Sequence, residues 1–370
     1  MVINVDWFFL SHRLQVALGA LRAGHEVHIA TSLSHGRIQL ESHGFVVHPL
    51  EVDRSGASPL GLVKLFLTLL RLFWKLRPDV LHLVTIKPVL IGGMAARFSP
   101  VRGVVYAVSG LGHVFVADRL LGKLRRKIVG AWYRFVLGAR NMRIIFQNPD
   151  DCREIKSVAI LRKDQIVMIP GSGVELPDYQ MTPLPQSEAV VLMASRLLST
   201  KGVREYVVAA QQLRASGVKA QFWLVGDPDP ANPASIPAPE LDAWGKQGAV
   251  ELLGHRSDIP ALMAQAHIVV LPSYREGLPK VLIEAAACGR AVVTTDVPGC
   301  RDAIEKDVTG VLVPSKDVAS LADAMRRLIE DRPLCQTMGH AGRKRAEKVF
   351  DVNVVVRTHL EIYSALGECA

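Results

Sequence analysis

The sequence lacks the motifs that mark several common protein classes. Its five cysteines are odd in number and form no CxxC pair or His/Cys cluster, which argues against a disulfide framework and a structural zinc site. No P-loop GxxxxGK[ST] is present, and the first predicted strand is followed by DWFFLSHR instead of GxGxxG. Because those motifs hold phosphate groups in most ATPases and dehydrogenases, neither class is favoured.

Two further patterns are missing. The N-terminal MVINVDWFFLSHR has no basic region and only a short apolar run, so no signal peptide is predicted. The most apolar helical pattern, residues 62–77, is too short and too charged to span a bilayer, which needs about 20 mostly apolar residues. We therefore expect a cytoplasmic chain.

The composition indicates a large apolar core. Of the 370 residues, 49% are hydrophobic and 21% are charged, which suits two domains of ordinary size. The charge is uneven, because residues 1–170 carry 23 Lys and Arg against 11 Asp and Glu. Such a basic half predicts an anionic partner: nucleic acid, a lipid surface or a phosphorylated acceptor. No nucleic-acid-binding motif supports the first of these.

Short apolar runs alternate with longer helical patterns along the whole chain. Runs such as VLHLVT and HIVVLPS indicate parallel strands that are covered on both faces. The alternation occurs twice, on either side of the Pro- and Gly-rich residues 169–188, which resemble a linker. The predicted fold class is α/β, with two Rossmann-like domains facing each other across a cleft. Ligands in such sheets bind beyond the carboxyl ends of the strands.

One stretch, SYREGLPKVLIEAAACG at residues 273–289, places two glutamates eight positions apart. Glu276 is predicted on the loop that leaves a buried strand. The N–H groups of Gly277 and Leu278, with a helix beginning at Pro279, form a potential phosphate site. Glu284 would lie on that helix, one turn after Lys280, where it can accept hydrogen bonds from a vicinal diol. Considered alone, Glu284 also fits a solvated helix residue.

The loop MASRLLSTKG, residues 193–202, supplies two cations at the same end of the second sheet. Considered alone, Arg196 and Lys201 fit ordinary solvated charges. Opposite an anion-binding helix terminus they would hold a diphosphate, and the arginine can bind it with two hydrogen bonds. The acidic pair of DPDP, residues 227–230, is interpreted as turn chemistry.

These segments resemble glycosyltransferase family four, retaining enzymes with the GT-B fold. The resemblance implies that Glu276 contacts hydroxyls of a donor sugar, and that Gly277 and Leu278 donate N–H groups to the sugar and phosphate. It also implies that Arg196 and Lys201 neutralise the leaving diphosphate without a metal ion or other cofactor. Glu284 would hold the ribose of a UDP-sugar.

The first domain resembles a subgroup that transfers N-acetylhexosamines to polyprenyl-diphosphate-linked sugars. Many family members have a glycine pair after the first strand and a histidine after the fifth, whereas this chain has WFFLSHR and AVSGLGHVF. Ser11 is predicted to cap the first helix. The candidates for acceptor binding are Ser11, His12, Arg13, Ser109, Gly110 and His113.

The expected function is therefore transfer of a sugar to a membrane-associated, lipid-linked saccharide. Residues 1–170 would bind the acceptor, residues 171–352 would bind the donor, and a C-terminal helix at 353–370 would return to the first domain. Two alternatives remain open: a nucleotide-sugar epimerase of the same fold, and a non-catalytic nucleotide-sugar-binding protein. The epimerase would release a soluble sugar product and need no acceptor.

An anionic membrane surface is the second expected partner. On a helix, Lys64, Thr68, Arg71 and Lys75 form one stripe among apolar residues, and KLRRK at 123–127 adds a basic cluster. These features predict peripheral docking of the first domain on the inner face of the cell membrane. The alternative is a helix buried in the domain with one wet stripe.

Overall fold

The computed structural model describes residues 1–34, 36–51, 58–110, 120–139 and 141–368. Contacts divide the chain into two compact units. Unit 1 comprises residues 1–172 and 352–370, and unit 2 comprises residues 173–351. The C-terminal segment therefore packs with unit 1.

Unit 1 is built on a parallel sheet of seven strands in the order β3-β2-β1-β4-β5-β6-β7. Most residues of these strands are apolar, because helices cover both faces of the sheet. Their bounds are β1 Val2–Val5, β2 His28–Ser32, β3 Val46–Pro49, β4 Val80–Val84, β5 Gly103–Val108, β6 Met142–Phe146 and β7 Ile166–Met168.

The helices of unit 1 connect these strands, apart from the last, which follows unit 2 in the chain. That last helix packs mainly on the second one. The helices are α1 Asp6–His12, α2 Leu14–Arg22, α3 Arg37–Ser42, α4 Pro59–Leu76, α5 Gly93–Arg97, α6 Leu120–Val136, α7 Pro149–Lys156 and, from the C-terminal segment, α15 Val352–Glu368.

Unit 2 has a six-stranded parallel sheet in the order β10-β9-β8-β11-β12-β13. The prediction of two parallel α/β sheets is thus confirmed. The strands are β8 Ala189–Ala194, β9 Ala220–Val225, β10 Glu251–Gly254, β11 Ile268–Leu271, β12 Ala291–Thr295 and β13 Gly310–Val313. The helices are α8 Val203–Ala215, α9 Ala238–Gln247, α10 Ile259–Gln265, α11 Lys280–Ala287, α12 Cys300–Ala303, α13 Val318–Glu330 and α14 Arg332–Arg345.

The strand order of unit 2 reverses between β8 and β11. Chain connections run to opposite sides of the sheet at this point, so the carboxyl ends of β8 and β11 border a crevice. Gly202, just before α8, has a φ of +74°, and a Cβ there would overlap the carbonyl oxygen of Pro272 after β11. A glycine is therefore required where the two loops meet.

Helix α4 does not fit the alternative predicted above, a helix buried in the domain except for one solvent-exposed stripe. Only one face is buried, through Leu65, Leu69 and Phe73. The opposite face exposes large apolar side chains, and 83% of the Leu60 surface and 52% of the Trp74 surface remain accessible. In the described part of the chain, no helix has the length and hydropathy needed to cross a membrane.

Candidate functional site

The loops after β8 and β11 come together at the switch point of the unit 2 sheet. The N–H of Tyr274 donates to the carbonyl of Thr200 at 2.9 Å, which joins the two loops through their backbones. Arg196 and Lys201 lie on the first loop, and Glu276 lies on the second. All three lie at the edge of the sheet that was predicted from the sequence.

Glu276 is held by two donors from these loops. The ammonium of Lys201 lies 2.5 Å from Oε1 of Glu276, and the buried hydroxyl of Ser273 donates to the same oxygen at 2.5 Å. Both side chains of the ion pair are largely buried, so the pair is better shielded from solvent than an exposed one. Lys201, predicted only to meet a diphosphate, also fixes the carboxylate.

Glu284 has a similar environment, which corrects its interpretation as a solvated helix residue. Only 7% of its surface is exposed. The hydroxyl of Tyr179 donates to its Oε1 at 2.6 Å, and the ammonium of Lys280 lies 3.1 Å from the same oxygen. Lys280 precedes Glu284 by one helical turn, as the sequence indicated. Tyr179 was missed, because it lies in the segment interpreted as a linker.

The two glutamates therefore share one arrangement. In each, Oε1 interacts with one lysine ammonium and one hydroxyl group. Within the described residues, neither Oε2 atom has a hydrogen-bond partner, and 13% of the Glu276 side chain and 9% of the Glu284 side chain remain exposed. A carboxylate oxygen accepts hydrogen bonds and donates none. Each glutamate thus presents a fixed acceptor to a ligand hydroxyl.

The backbone between the glutamates is also held closely. A Cβ at Gly299, whose φ is +81°, would lie 2.5 Å from the carbonyl oxygen of Glu276, so this position needs glycine for the loop to approach. Helix α11 begins at Lys280, with Pro279 as its extended N-cap residue. The expected start at Pro279 was wrong by one residue, because the proline has a ψ of 123°. The N–H groups of the first helical turn still face the loop that carries Glu276.

Arg196 has a partner that sequence reasoning missed. Its Nη1 lies 2.9 Å from Oδ2 of Asp229, although 44% of the arginine side chain is exposed. Asp229 also begins a turn, since its carbonyl accepts from the N–H of Asn232 at 2.7 Å. The interpretation of this aspartate as turn chemistry alone was incomplete. No group of three or more His, Cys, Asp or Glu residues suited to a metal ion occurs among the described residues.

In unit 1, the structure brings together two of the six acceptor candidates. Nη2 of Arg13 lies 3.4 Å from the Ser109 hydroxyl at the end of β5, and Gly110 follows directly. The expectation that Ser11 caps a helix was wrong, because α1 begins at Asp6 and includes Ser11. His12 stacks on Phe8. His113 lies outside the described residues.

Arg13 is buried, with 2% of its surface exposed. Desolvation lowers its pKa to about 10. Burial also lowers the pKa of its neighbours His82 and His359, the latter to about 3, and the charge of Arg13 adds to this effect. Nδ1 of His82 lies 2.7 Å from the Tyr363 hydroxyl. These contacts link α15 to the interior of unit 1.

Unit 1 also contains a cavity of about 530 Å³ at the carboxyl ends of β2 and β3. Leucines from these strand ends and from α4 form much of its lining, together with Lys64 and Lys87. Lys64 pairs with Glu51 at the rim. Apolar walls with a few charged groups are typical of sites for small amphiphilic ligands.

Both halves of the chain match family models. Residues 1–148 match the model described as glycosyl transferase 4-like. Residues 188–331 match the model described as glycosyl transferases group 1. Together the two matches span about four fifths of the chain.

Similar curated proteins extend over most of the sequence. An N,N'-diacetylbacillosaminyl-diphospho-undecaprenol alpha-1,3-N-acetylgalactosaminyltransferase of Campylobacter jejuni is 28% identical over 88% of this chain and 87% of its own length. The capsular polysaccharide biosynthesis glycosyltransferase CapM of Staphylococcus aureus is 26% identical over 89% of this chain and 87% of its own length.

Solved structures share the fold. Sucrose-phosphate synthase from Thermosynechococcus elongatus superposes with a TM-score of 0.78, at 21% identity over 96% of this chain and 92% of the other. The HepE protein of Anabaena, solved with UDP-glucose, superposes with a TM-score of 0.76 at 20% identity, over 98% and 99% of the two chains. The predicted GT-B fold is thereby confirmed.

Proposed function

We propose a reaction for this chain on the basis of the family to which it belongs, the glycosyltransferases of group 1 and family four. The chain transfers a sugar, an N-acetylhexosamine, from a UDP-sugar to a saccharide linked to a polyprenyl diphosphate. The reaction retains the configuration of the sugar and takes place at the inner face of the cell membrane during glycan biosynthesis. The names of relatives that act on diphospho-undecaprenol-linked sugars support this acceptor class.

The paired glutamates are the observation that carries the proposal. Oε2 of Glu276 accepts a hydrogen bond from a hydroxyl of the donor sugar, and Oε2 of Glu284 accepts one from a ribose hydroxyl. Their Oε1 atoms are already held by protein donors, so little side-chain ordering remains to oppose binding. One fixed acceptor for the sugar and one for the nucleoside match a nucleotide-sugar donor.

The chemistry is charge stabilisation at the departing diphosphate. The acceptor hydroxyl forms a new bond to C1 of the donor sugar on the face from which UDP leaves, while the bond from C1 to the phosphate oxygen breaks. The hydroxyl proton passes to that phosphate oxygen, so no enzyme nucleophile is needed. Arg196, Lys201 and the N-terminal N–H groups of α11 stabilise the charge that develops on UDP, without a metal ion.

The direct test is incubation of the chain with radiolabelled UDP-sugars and polyprenyl-diphosphate-linked saccharides, followed by extraction into organic solvent. We expect label in the lipid fraction with one UDP-sugar, and its formation should be about 10- to 150-fold slower with the Glu276→Gln variant. A labelled soluble sugar formed without acceptor would indicate the epimerase instead. Binding of UDP-sugars with no turnover on any acceptor would indicate a non-catalytic binding protein.

We further propose that α4 and the basic cluster at 123–127 dock unit 1 on an anionic membrane. The exposed residues Leu60, Val63 and Leu67 share one face of α4, and its cationic stripe lies beside them by helical geometry. An apolar face next to cations suits an interfacial helix. The cluster itself lies on α6, but its side chains are outside the described part of the chain.

Sedimentation with liposomes tests this docking. Binding should rise with the anionic lipid content, fall with salt, and weaken when both Leu60 and Val63 are changed to Ser. Ile160→Ser is the matched control, because Ile160 is 92% exposed but lies outside α4. Equal binding to neutral and anionic vesicles, or an equal loss with the control, would contradict the proposal.

A further inference from the structure

Tyr179 lies outside the glutamate motif but contacts its second carboxylate directly. Its side chain is 9% exposed, and its hydroxyl donates to Oε1 of Glu284 at 2.6 Å. Desolvation, followed by the charge of Glu284, raises the pKa of the tyrosine above its ordinary value. The phenol therefore remains a hydrogen-bond donor throughout the physiological pH range.

The backbone around Tyr179 is fixed by two arginines from other elements. Nη1 of Arg343, on α14, donates at 2.7 Å both to the carbonyl of Tyr179 and to that of Ala287 at the end of α11. The buried Arg290 donates at 2.9 Å to the carbonyl of Thr182. The segment that carries Tyr179 is thus attached to the helix that carries Glu284, although it has no regular secondary structure.

This arrangement determines which carboxylate oxygen a ligand can use. Tyr179 and Lys280 approach the same oxygen of Glu284, and they restrict rotation of the carboxylate about its terminal bond. Without the hydroxyl, Lys280 alone remains, and an ammonium on a flexible side chain imposes little direction. The free acceptor would then be less well oriented.

We propose that Tyr179 is a positioning residue that orients Glu284, so that its Oε2 atom meets a ribose hydroxyl of the bound nucleotide. It thereby sets the preference for ribonucleotides over nucleotides that lack these hydroxyls. The inference rests on the proposed function, which assigns the ribose to Glu284. No direct contact between Tyr179 and the nucleotide is required.

The experiment compares the dissociation constants of UDP and 2',3'-dideoxy-UDP, measured by calorimetry on the full chain. Tyr179→Phe should weaken UDP binding by about twofold to twelvefold, the range of one ordinary hydrogen bond, and leave dideoxy-UDP within twofold. Because the Tyr179 hydroxyl acts through Glu284, Tyr179→Phe should not weaken UDP binding further in a Glu284→Ala background.

Tyr206→Phe is the matched control. It removes another fully buried hydroxyl from unit 2, one that donates to the carbonyl of Val191 at 2.8 Å and touches neither glutamate. Equal weakening of both nucleotides by Tyr179→Phe, or no weakening of either, would overturn the inference. If the wild-type chain itself binds UDP and dideoxy-UDP equally, or binds neither, the ribose assignment in the proposed function fails instead.

Discussion

Exchange of each glutamate for glutamine should separate the two parts of the donor site. In either variant, the amide oxygen can still accept from the lysine and the hydroxyl that hold Oε1. The second oxygen becomes an amide nitrogen, which can no longer accept a hydrogen bond. The substitution also removes the negative charge that pairs with the lysine. The pair Glu276→Gln and Glu284→Gln therefore tests the two carboxylates while an acceptor oxygen remains for their supports.

Each substitution removes one hydrogen bond to a charged acceptor, which is worth about 1.5–3 kcal/mol. The affected rate or dissociation constant should therefore change by about 10- to 150-fold. For Glu276→Gln this loss should appear in the transfer rate, while the dissociation constant of UDP changes less than about threefold. For Glu284→Gln it should appear in the dissociation constant of UDP, and the rate at saturating donor should remain close to that of the wild type.

The two quantities are measured separately, by calorimetry with UDP and by radiolabelled transfer at saturating donor. Thermal unfolding of both variants provides the control for folding. The reasoning would be refuted if Glu276→Gln weakened UDP as much as Glu284→Gln did. It would also be refuted if Glu284→Gln lowered the saturated rate without changing UDP affinity.

Three further predictions address other parts of the molecule. Transfer should survive EDTA, because Lys201 and the α11 terminus supply positive charge to the diphosphate; loss of activity that Mg²⁺ or Mn²⁺ restores would contradict this mechanism. Gly202→Ala should destabilise unit 2 in urea unfolding by more than Gly217→Ala, which has a similar positive φ but nothing within 4 Å of the added Cβ; the control should cost about 1–2 kcal/mol. Because His359 remains neutral when folded but gains a proton when unfolded, stability should be fully present above about pH 6.5 and decline as the pH falls toward its folded pKa of about 3. Replacement of His359 by Gln should reduce the change of the unfolding free energy with pH, measured by denaturant titrations, by about 1.4 kcal/mol per pH unit. An unchanged slope would exclude the histidine as a cause of the loss of stability at low pH.

The sequence was sufficient to predict the fold and the backbone frame of the candidate site, because both depend on local patterns. Apolar strand runs separated by helical segments specify parallel sheets. The positions of Arg196, Lys201 and Glu276 after such runs place them at one sheet edge. The helical spacing of Lys280 and Glu284 similarly places both residues on one face of α11.

The partners of these residues could not be predicted, because they depend on which distant segments pack together. Tyr179 lies 105 positions before Glu284, in a stretch whose prolines resemble a linker. The contact between Asp229 and Arg196 spans 33 positions. Arg13 was named as a candidate for acceptor binding, and its burial was not foreseen. Strand β1 leads directly into a short helix, and the Arg13 side chain that follows lies in the interior of unit 1.

Helix α4 shows how a hydropathy pattern can be read correctly as a helix and still leave its surroundings undetermined. Leu65, Leu69 and Phe73 face the core of unit 1, but apolar side chains also cover the opposite face, and half of the Trp74 surface is accessible. An apolar face that folding leaves uncovered favours association with another apolar phase. Cations beside that face favour an anionic membrane over a neutral protein partner. The same uncovered face that hydropathy alone would assign to a core thus becomes the structural basis for bringing unit 1 to its proposed lipid-linked acceptor.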